Sequence, residues 1–102
     1  MKKKLELNIV VNSRKKLEFR QTLECLSESL LTECSDLKIQ ESQDDDIFIL
    51  LIEWSSTNQM RRALRTNDFS ILIGAIISLE KNTGIRLDDK DIGNDITKLM
   101  TL

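Results

Sequence analysis

The segment that most constrains the fold is Ile47 to Trp54, which reads Ile-Phe-Ile-Leu-Leu-Ile-Glu-Trp. Its first six residues are large and apolar, so an extended strand there would have no polar face. The run is too short to span a membrane, and its β-branched and aromatic residues favour a strand over a helix. A strand that is apolar on both faces has to be covered on both sides. A chain of 102 residues forms one domain with a two-layer core, which covers one face and leaves the other for a partner subunit.

Composition and charge argue against several classes of protein. The net charge is -2, so no strong attraction to nucleic acid or to a membrane surface is expected. No apolar run approaches the roughly 20 residues of a membrane-spanning helix. Glu6 and Asn8 interrupt the basic start of the chain, which argues against a signal peptide. The sequence therefore predicts a cytoplasmic protein.

The chain contains no histidine, which limits the chemistry it can perform. Histidine is the commonest general base and metal ligand, and its absence excludes any Ser-His or Cys-His nucleophile. Cys25 and Cys34 are nine residues apart in one predicted helix, too far along its axis for a disulfide, so both are expected to be free thiols. Asp44, Asp45 and Asp46 are adjacent, whereas calcium loops place ligands at alternate positions and include a glycine. We therefore expect a solvated hairpin turn there and no metal site.

Hydrophobic periodicity predicts the remaining elements. They are a strand at 5–11, an amphipathic helix of about five turns after Ser13, an edge strand at 37–43, the strand at 47–54, helices at 60–65 and 69–79, a turn at 83–84 and a short strand at 85–87. The segment 69–79 is apolar nearly all round, so a helix there is expected to be buried on more than one side. A strand is the alternative, but Gly74-Ala75 in the middle and Glu80-Lys81-Asn82 at the end favour a helix. The resulting βαββαβ order is the ferredoxin-like plan, an α+β fold with a four-stranded antiparallel sheet and helices on one face.

The open face of that sheet predicts a homodimer. Half of the apolar side chains of Ile47 to Ile52 would be exposed in a monomer, and such a patch marks an interface. Two sheets packed face to face would bury it in a symmetric dimer. We place a single domain at residues 1–89 and a C-terminal tail at residues 90–102. Ile96, Leu99 and Met100 recur in the tail at helical spacing, so it is expected to dock on its own domain or on the partner subunit.

Two stretches resemble a known family. They are Ile52-Glu53-Trp54-Ser55-Ser56 at the end of the third strand and the helical segment from Arg62-Ala63-Leu64 to Phe69. With the element order, they resemble the antibiotic biosynthesis monooxygenase family of the dimeric α+β barrel superfamily, over roughly residues 5–87. Members form sheet-to-sheet dimers with a small pocket between sheet and helices in each subunit. Members often carry a histidine just before the leucine that corresponds to Leu64, where this chain has Ala63.

Four residues are candidates for substrate binding. Trp54, the sole tryptophan, matches the family's aromatic position and would line the pocket and stack on a flat ligand, or else pack the end of the sheet. Asn8 would hydrogen-bond a phenolic or quinone oxygen, or else face solvent. Phe69 would line the pocket or the core, and Arg62 would reach the pocket mouth or lie on a solvated helix face. No catalytic residue is identified.

The resemblance implies a cofactor-independent monooxygenase that oxidises a small electron-rich aromatic, of the quinol or anthrone type, with molecular oxygen. Such a substrate itself reduces oxygen, so the protein has to exclude water, orient the ring and stabilise a developing anion. The family's haem-degrading branch uses a histidine ligand, which this chain lacks. The alternative is a non-catalytic dimer that binds a small ligand, which the absence of histidine, tyrosine and any clustered acid-base pair favours.

Overall fold

One antiparallel sheet and three α-helices make up the computed structural model, which describes residues 2–42 and 45–102. The strands are β1 (Lys3–Val11), β2 (Asp36–Ser42), β3 (Ile47–Trp54), β4 (Glu80–Leu87) and β5 (Lys90–Gly93). The helices are α1 (Lys16–Thr32), α2 (Thr57–Leu64) and α3 (Asn67–Leu79), with short 3-10 turns at Ser13–Lys15 and Ile96–Thr101. The strands lie in the order β2-β3-β1-β4-β5. The predicted α+β, ferredoxin-like fold is confirmed, with a fifth strand added to the sheet.

The register of the sheet separates the two faces of β3. Leu5 lies opposite Ile52 and Leu7 lies opposite Leu50, and all four side chains are buried beneath the helices. The alternate positions of β3 point to the other face and are only half-buried there, namely Ile47, Ile49 and Leu51. The helices therefore cover one face of the predicted apolar strand and leave the other open in the single chain.

Short polar side chains fix the starts of α2 and α3. The Ser56 hydroxyl accepts a hydrogen bond from the Gln59 backbone N–H at 3.1 Å and begins α2. The Thr66 hydroxyl accepts one from the Phe69 backbone N–H at 3.3 Å and begins α3. The predicted pair of helices is therefore confirmed, and none of the helices in the described residues is long and apolar enough to cross a membrane.

α3 is buried on one side only, which differs from the expectation drawn from its composition. Its inward stripe is buried against the core and consists of Phe69, Leu72, Ile73, Ile76 and Leu79. On its outer side, Ile71 is 53% exposed and Ile77 is 52% exposed. A two-layer domain offers this helix one sheet to pack against, so the extra isoleucines remain on the surface.

The segment after α3 corrects the predicted turn at residues 83–84. Thr83 and Gly84 lie inside the continuous strand β4, which begins at Glu80. Gly84 pairs with Asn8 of β1, and Thr83 pairs with Ile9. Thr83 is only 1% exposed. The strand forms because β1 supplies its hydrogen-bonding partner from the other end of the chain, which local composition does not reveal.

The C-terminal residues pack on their own chain. β5 pairs with β4 through a turn in which Asp88 and Asp89 have positive φ angles of 51° and 67°. Beyond β5, Ile96 is 3% exposed and Leu99 is 1% exposed, and both belong to the main hydrophobic core. The tail predicted at residues 90–102 therefore packs on its own chain, one of the two expected docking partners. The domain boundary at residue 89 stays a prediction.

The hairpin that leads into β3 is described only in part. Gln43, at the end of the predicted edge strand, and Asp44, in the predicted turn, lie outside the described residues. Asp45 and Asp46 form a turn, and Asp46 has a positive φ of 54°. β2 lies at the edge of the sheet beside β3, as its polar sequence predicted.

Candidate functional site

A small, mainly apolar cavity lies between the sheet and the helices. Its walls come from the C-terminal ends of α1 and β3 and the inner sides of α2 and α3, and it is lined by Leu30, Glu33, Cys34, Ile52, Trp54, Ala63 and Phe69. The centre of a water-sized sphere can occupy about 10 Å³ of it. That space is roughly what a single water molecule needs. An aromatic ring therefore enters only if the cavity widens.

Trp54 lines this cavity, and its side chain carries a buried polar group. It ends β3, and its side chain is 1% exposed. Its indole Nε1–H is buried and has no hydrogen-bond partner among the residues that the structure describes. Leaving a buried donor unpaired costs about 1–3 kcal/mol. A ligand oxygen that reached Nε1 and accepted this hydrogen bond would recover that free energy.

Phe69 and Ala63 form the helical wall of the same cavity. The Thr66 cap sets the start of α3 and turns Phe69 inward, where it is 2% exposed. Ala63 on α2 is 3% exposed. It occupies the position at which the resembling family often carries a histidine, and its methyl group neither accepts nor donates a proton. The cavity therefore has aromatic walls from Trp54 and Phe69 and no imidazole.

Glu33 and Cys34 lie on the outer side of the cavity, and the sequence did not single them out as site residues. Both follow the C-terminal end of α1, where no motif marks them. Burial raises the pKa of the Cys34 thiol above its ordinary value, so the thiol stays protonated at neutral pH. Cys34 and Cys25 are both free, as predicted. The exposed Glu33 carboxylate is thus the cavity-lining group able to accept a proton.

Asn8 lies on the opposite face of the sheet from the cavity. Its neighbours across β1 are Ile49 of β3 and Gly84 of β4. Its side-chain Nδ2 donates a hydrogen bond to Oε2 of Glu6 at 2.9 Å. The structure therefore does not bring Asn8 together with Trp54, and a hydrogen bond from Asn8 to a ligand in this cavity is ruled out by the strand's alternation.

Arg62 lies outside the cavity, on the exposed side of α2. It lines a surface hollow of about 240 Å³ together with Thr32, Glu33 and Gln59. Glu33 borders both this hollow and the Trp54 cavity. Arg62 therefore lies near the mouth of the cavity without lining it.

Several solved structures have the same arrangement of strands and helices as this chain. A conserved protein from Methanosarcina mazei gives a TM-score of 0.78 at 20% identity, covering 88% of this chain and 93% of that one. A structure described as an antibiotic biosynthesis monooxygenase gives 0.76 at 18% identity, covering 85% and 96%. One from Nitrosomonas europaea, described as a "putative antibiotic biosynthesis monooxygenase", gives 0.77 at 12% identity, covering 84% and 86%. The chain has the fold of the antibiotic biosynthesis monooxygenases.

The predicted likeness is thereby confirmed at the level of the fold. No protein-family model matches the sequence, and no curated protein matches it. The likeness rests on the arrangement of the sheet and helices.

Proposed function

We propose that this protein is a cofactor-independent monooxygenase whose substrate, a small electron-rich aromatic of the quinol or anthrone type, binds beside Trp54. The observation that supports the proposal is that Trp54, which lines the cavity between sheet and helices, has a buried indole N–H without a hydrogen-bond partner among the described residues. A phenolic or ketone oxygen of the substrate would accept this hydrogen bond. The rings of Trp54 and Phe69 would hold the flat substrate once the cavity widens.

The substrate supplies the electrons for the reaction. In an anthrone, a methylene group becomes a ketone: one oxygen atom of O₂ enters the product, and the other leaves as water with the two methylene hydrogens. The protein contributes binding, exclusion of water and a donor aimed at the oxygen that becomes anionic when the substrate loses a proton. Glu33, at the outer side of the cavity, would accept that proton.

We place this site in a homodimer formed by the open faces of two sheets. The support is a row of apolar side chains on that face: Val10 lies opposite Ile47 at one end of the strands, and the half-buried Ile49 and Leu51 follow along β3. Toward the other end of the face, charged side chains surround a hollow of about 250 Å³, among them Lys4, Glu6, Lys38, Glu53 and Arg86. Apolar side chains bordered by charged ones are usual in a protein interface.

A non-catalytic dimer that binds a small ligand in the same cavity is the second candidate function. Ala63 favours it, because the residue lies in the cavity wall at the position where a histidine would supply a base. Turnover separates the two functions: an enzyme consumes oxygen with an aromatic substrate, whereas a binding protein shows only saturable binding.

Oxygen uptake with a panel of hydroquinones and anthrones, without added metal, flavin or haem, tests the proposal. We expect uptake above the rate of autoxidation. Trp54→Phe keeps an aromatic wall but removes the donor, and should lower kcat by about 10²-fold, as loss of an oxyanion-stabilising donor does. Phe48→Leu is the matched control, because Phe48 is equally buried but packs against Phe19 away from the cavity.

Each result bears on one candidate. Uptake that Trp54→Phe and Phe48→Leu reduce equally would contradict the proposed site. Saturable binding that alters the fluorescence of Trp54, with no uptake for any member of the panel, would contradict the enzyme and favour the binding protein.

A further inference from the structure

Three arginines on α2 lie close together outside the cavity. Arg61, Arg62 and Arg65 are exposed and line a broad surface hollow of about 690 Å³ together with Asn58 and Leu102. Within the described part of the chain, none of their guanidinium groups forms an ion pair or a hydrogen bond. The ion pairs there are made by other cations, namely Lys2, Lys3, Lys16, Arg20 and Lys38.

The spacing of the arginines directs them into one region. Arg61 and Arg65 are one helical turn apart, and Arg62 follows Arg61 at the end of α2. Cations near a helix C-terminus interact favourably with the helix dipole by about 0.3–1 kcal/mol. The helix dipole acts on each cation separately and does not require the side chains to share a hollow. It therefore does not explain why three unpaired guanidinium groups line one concave surface in a chain of net charge -2.

Arg62 connects this hollow to the Trp54 cavity. It lines the hollow of about 690 Å³ and also the neighbouring hollow of about 240 Å³. Glu33 lines the second hollow and also the cavity. The intermediate hollow therefore joins the arginine surface to the cavity, with Arg62 at its border and Arg61 and Arg65 on the far side.

We propose that Arg61, Arg62 and Arg65 bind an oxyanion group, a phosphate or a sulfate, carried by an aromatic ligand whose ring enters the Trp54 cavity. This inference rests on the proposed function for the ring and adds the substrate class, a phosphorylated or sulfated aromatic. A planar guanidinium group donates two parallel hydrogen bonds to such a group. Three of them supply enough positive charge for a phosphate, which carries about two negative charges at neutral pH.

Calorimetric titration with phenol, phenyl phosphate, phenyl sulfate and inorganic pyrophosphate at one ionic strength tests this inference. Trp54 is the only tryptophan and the chain has no tyrosine, so its fluorescence reports on the cavity in the same samples. We expect phenyl phosphate to bind wild type at least tenfold more tightly than phenol does, and both to change the fluorescence of Trp54. Phenyl sulfate distinguishes a preference for sulfate from one for phosphate.

Two triple variants locate the effect. Replacing Arg61, Arg62 and Arg65 with glutamine should abolish the advantage of phenyl phosphate over phenol and the binding of pyrophosphate, while leaving the affinity for phenol unchanged. The control variant replaces three other exposed cations with glutamine, which changes the net charge by the same amount. These cations are Arg14, Lys81 and Lys90. The control should still bind phenyl phosphate more tightly than phenol.

Equal affinities of phenol and phenyl phosphate for wild type would overturn the arginine site and leave the proposed function standing. An equal loss in both triple variants would overturn it as well, because bulk charge would then explain the binding. Phosphate-dependent binding that leaves the fluorescence of Trp54 unchanged would show that the ring of the ligand does not enter the Trp54 cavity. That result would overturn the proposed ligand and would also count against the cavity as the substrate site.

Discussion

Replacing Ile49 and Leu51 together with lysine should dissociate the proposed dimer without unfolding the chain. Both side chains point away from the helices and are half-buried on the open face of the sheet. The buried neighbours Phe48, Leu50 and Ile52, which form the core side of β3, stay unchanged. The monomer should therefore keep its fold while the patch loses its apolar character.

The size of the effect follows from burial. Burying a large aliphatic side chain fully is worth about 1.5–3 kcal/mol. Ile49 and Leu51 are already more than half-buried in the single chain, so each has at most roughly 1 kcal/mol still to gain on association. A two-fold axis counts each of the two positions twice, so the double substitution removes at most about 4 kcal/mol. At 1.4 kcal/mol per factor of ten, the dissociation constant of the dimer should rise by up to about 10³-fold. Desolvation of the new lysines adds to this.

Light scattering over a range of concentrations, with circular dichroism as a check on folding, measures the change. Wild type should give about twice the mass of the chain, and the double variant should give the mass of one chain. Ile71→Lys with Ile77→Lys is the matched control, since these isoleucines are 53% and 52% exposed on the outer side of α3. A folded double variant that stays dimeric, or wild type that is monomeric at micromolar concentration, would refute the interface.

Three further predictions concern stability and the cavity. Leu99→Ala should lower the free energy of unfolding by about 2–5 kcal/mol, because Leu99 is 1% exposed in the core. Met100→Ala, at a position that is 49% exposed, should change this free energy little. Equal effects of the two substitutions in urea unfolding would contradict the packing of the tail. Hydrogen bonding from Arg20 holds the pKa of Glu41 below its ordinary value. Glu41 therefore stabilises the fold at every pH above that ordinary pKa, and this stabilisation is lost as the pH falls through the lowered pKa. Glu41→Gln should thus be less stable than wild type at neutral pH and equal to it in acid, and a difference that does not vary with pH would contradict the pairing. Ala63→Leu should fill the cavity and abolish ligand-induced changes in tryptophan fluorescence. The larger side chain should lower the free energy of unfolding by about 1–3 kcal/mol. Ligand binding that persisted in this variant would place the site elsewhere.

The parts of the fold that were predictable are those with strong local patterns. The apolar run of β3 predicted a buried strand, and the segment 69–79, with Gly74-Ala75 in its middle, predicted the helix observed as α3. The faces of β1 were also readable. Since Leu5, Leu7 and Ile9 alternate toward the core, Asn8 between them had to face away from the helices. Strand alternation alone was therefore enough to separate Asn8 from the pocket.

The parts that were missed depend on contacts between distant residues. The first part of β4, residues 80–84, is polar and becomes a strand because β1 pairs with it, and β5 then adds to the free edge of β4. The cavity combines residues from α1, β3, α2 and α3, so Glu33 and Cys34 became candidates only when the fold brought them beside Trp54. Nor does the sequence reveal that Arg61, Arg62 and Arg65 share a concave surface, since this requires the C-terminal residue beside α2.

Oxidation of anthrone under isotopically heavy dioxygen shows directly whether the protein is a monooxygenase. We predict that each molecule of ketone formed contains one heavy oxygen atom and that the second appears in water. Trp54→Phe should slow this incorporation without changing where the atoms go, because the donor assists the step but takes no part in the transfer. A ketone formed by the protein without heavy oxygen, or no ketone above the uncatalysed amount, would contradict the assignment of this protein as a monooxygenase.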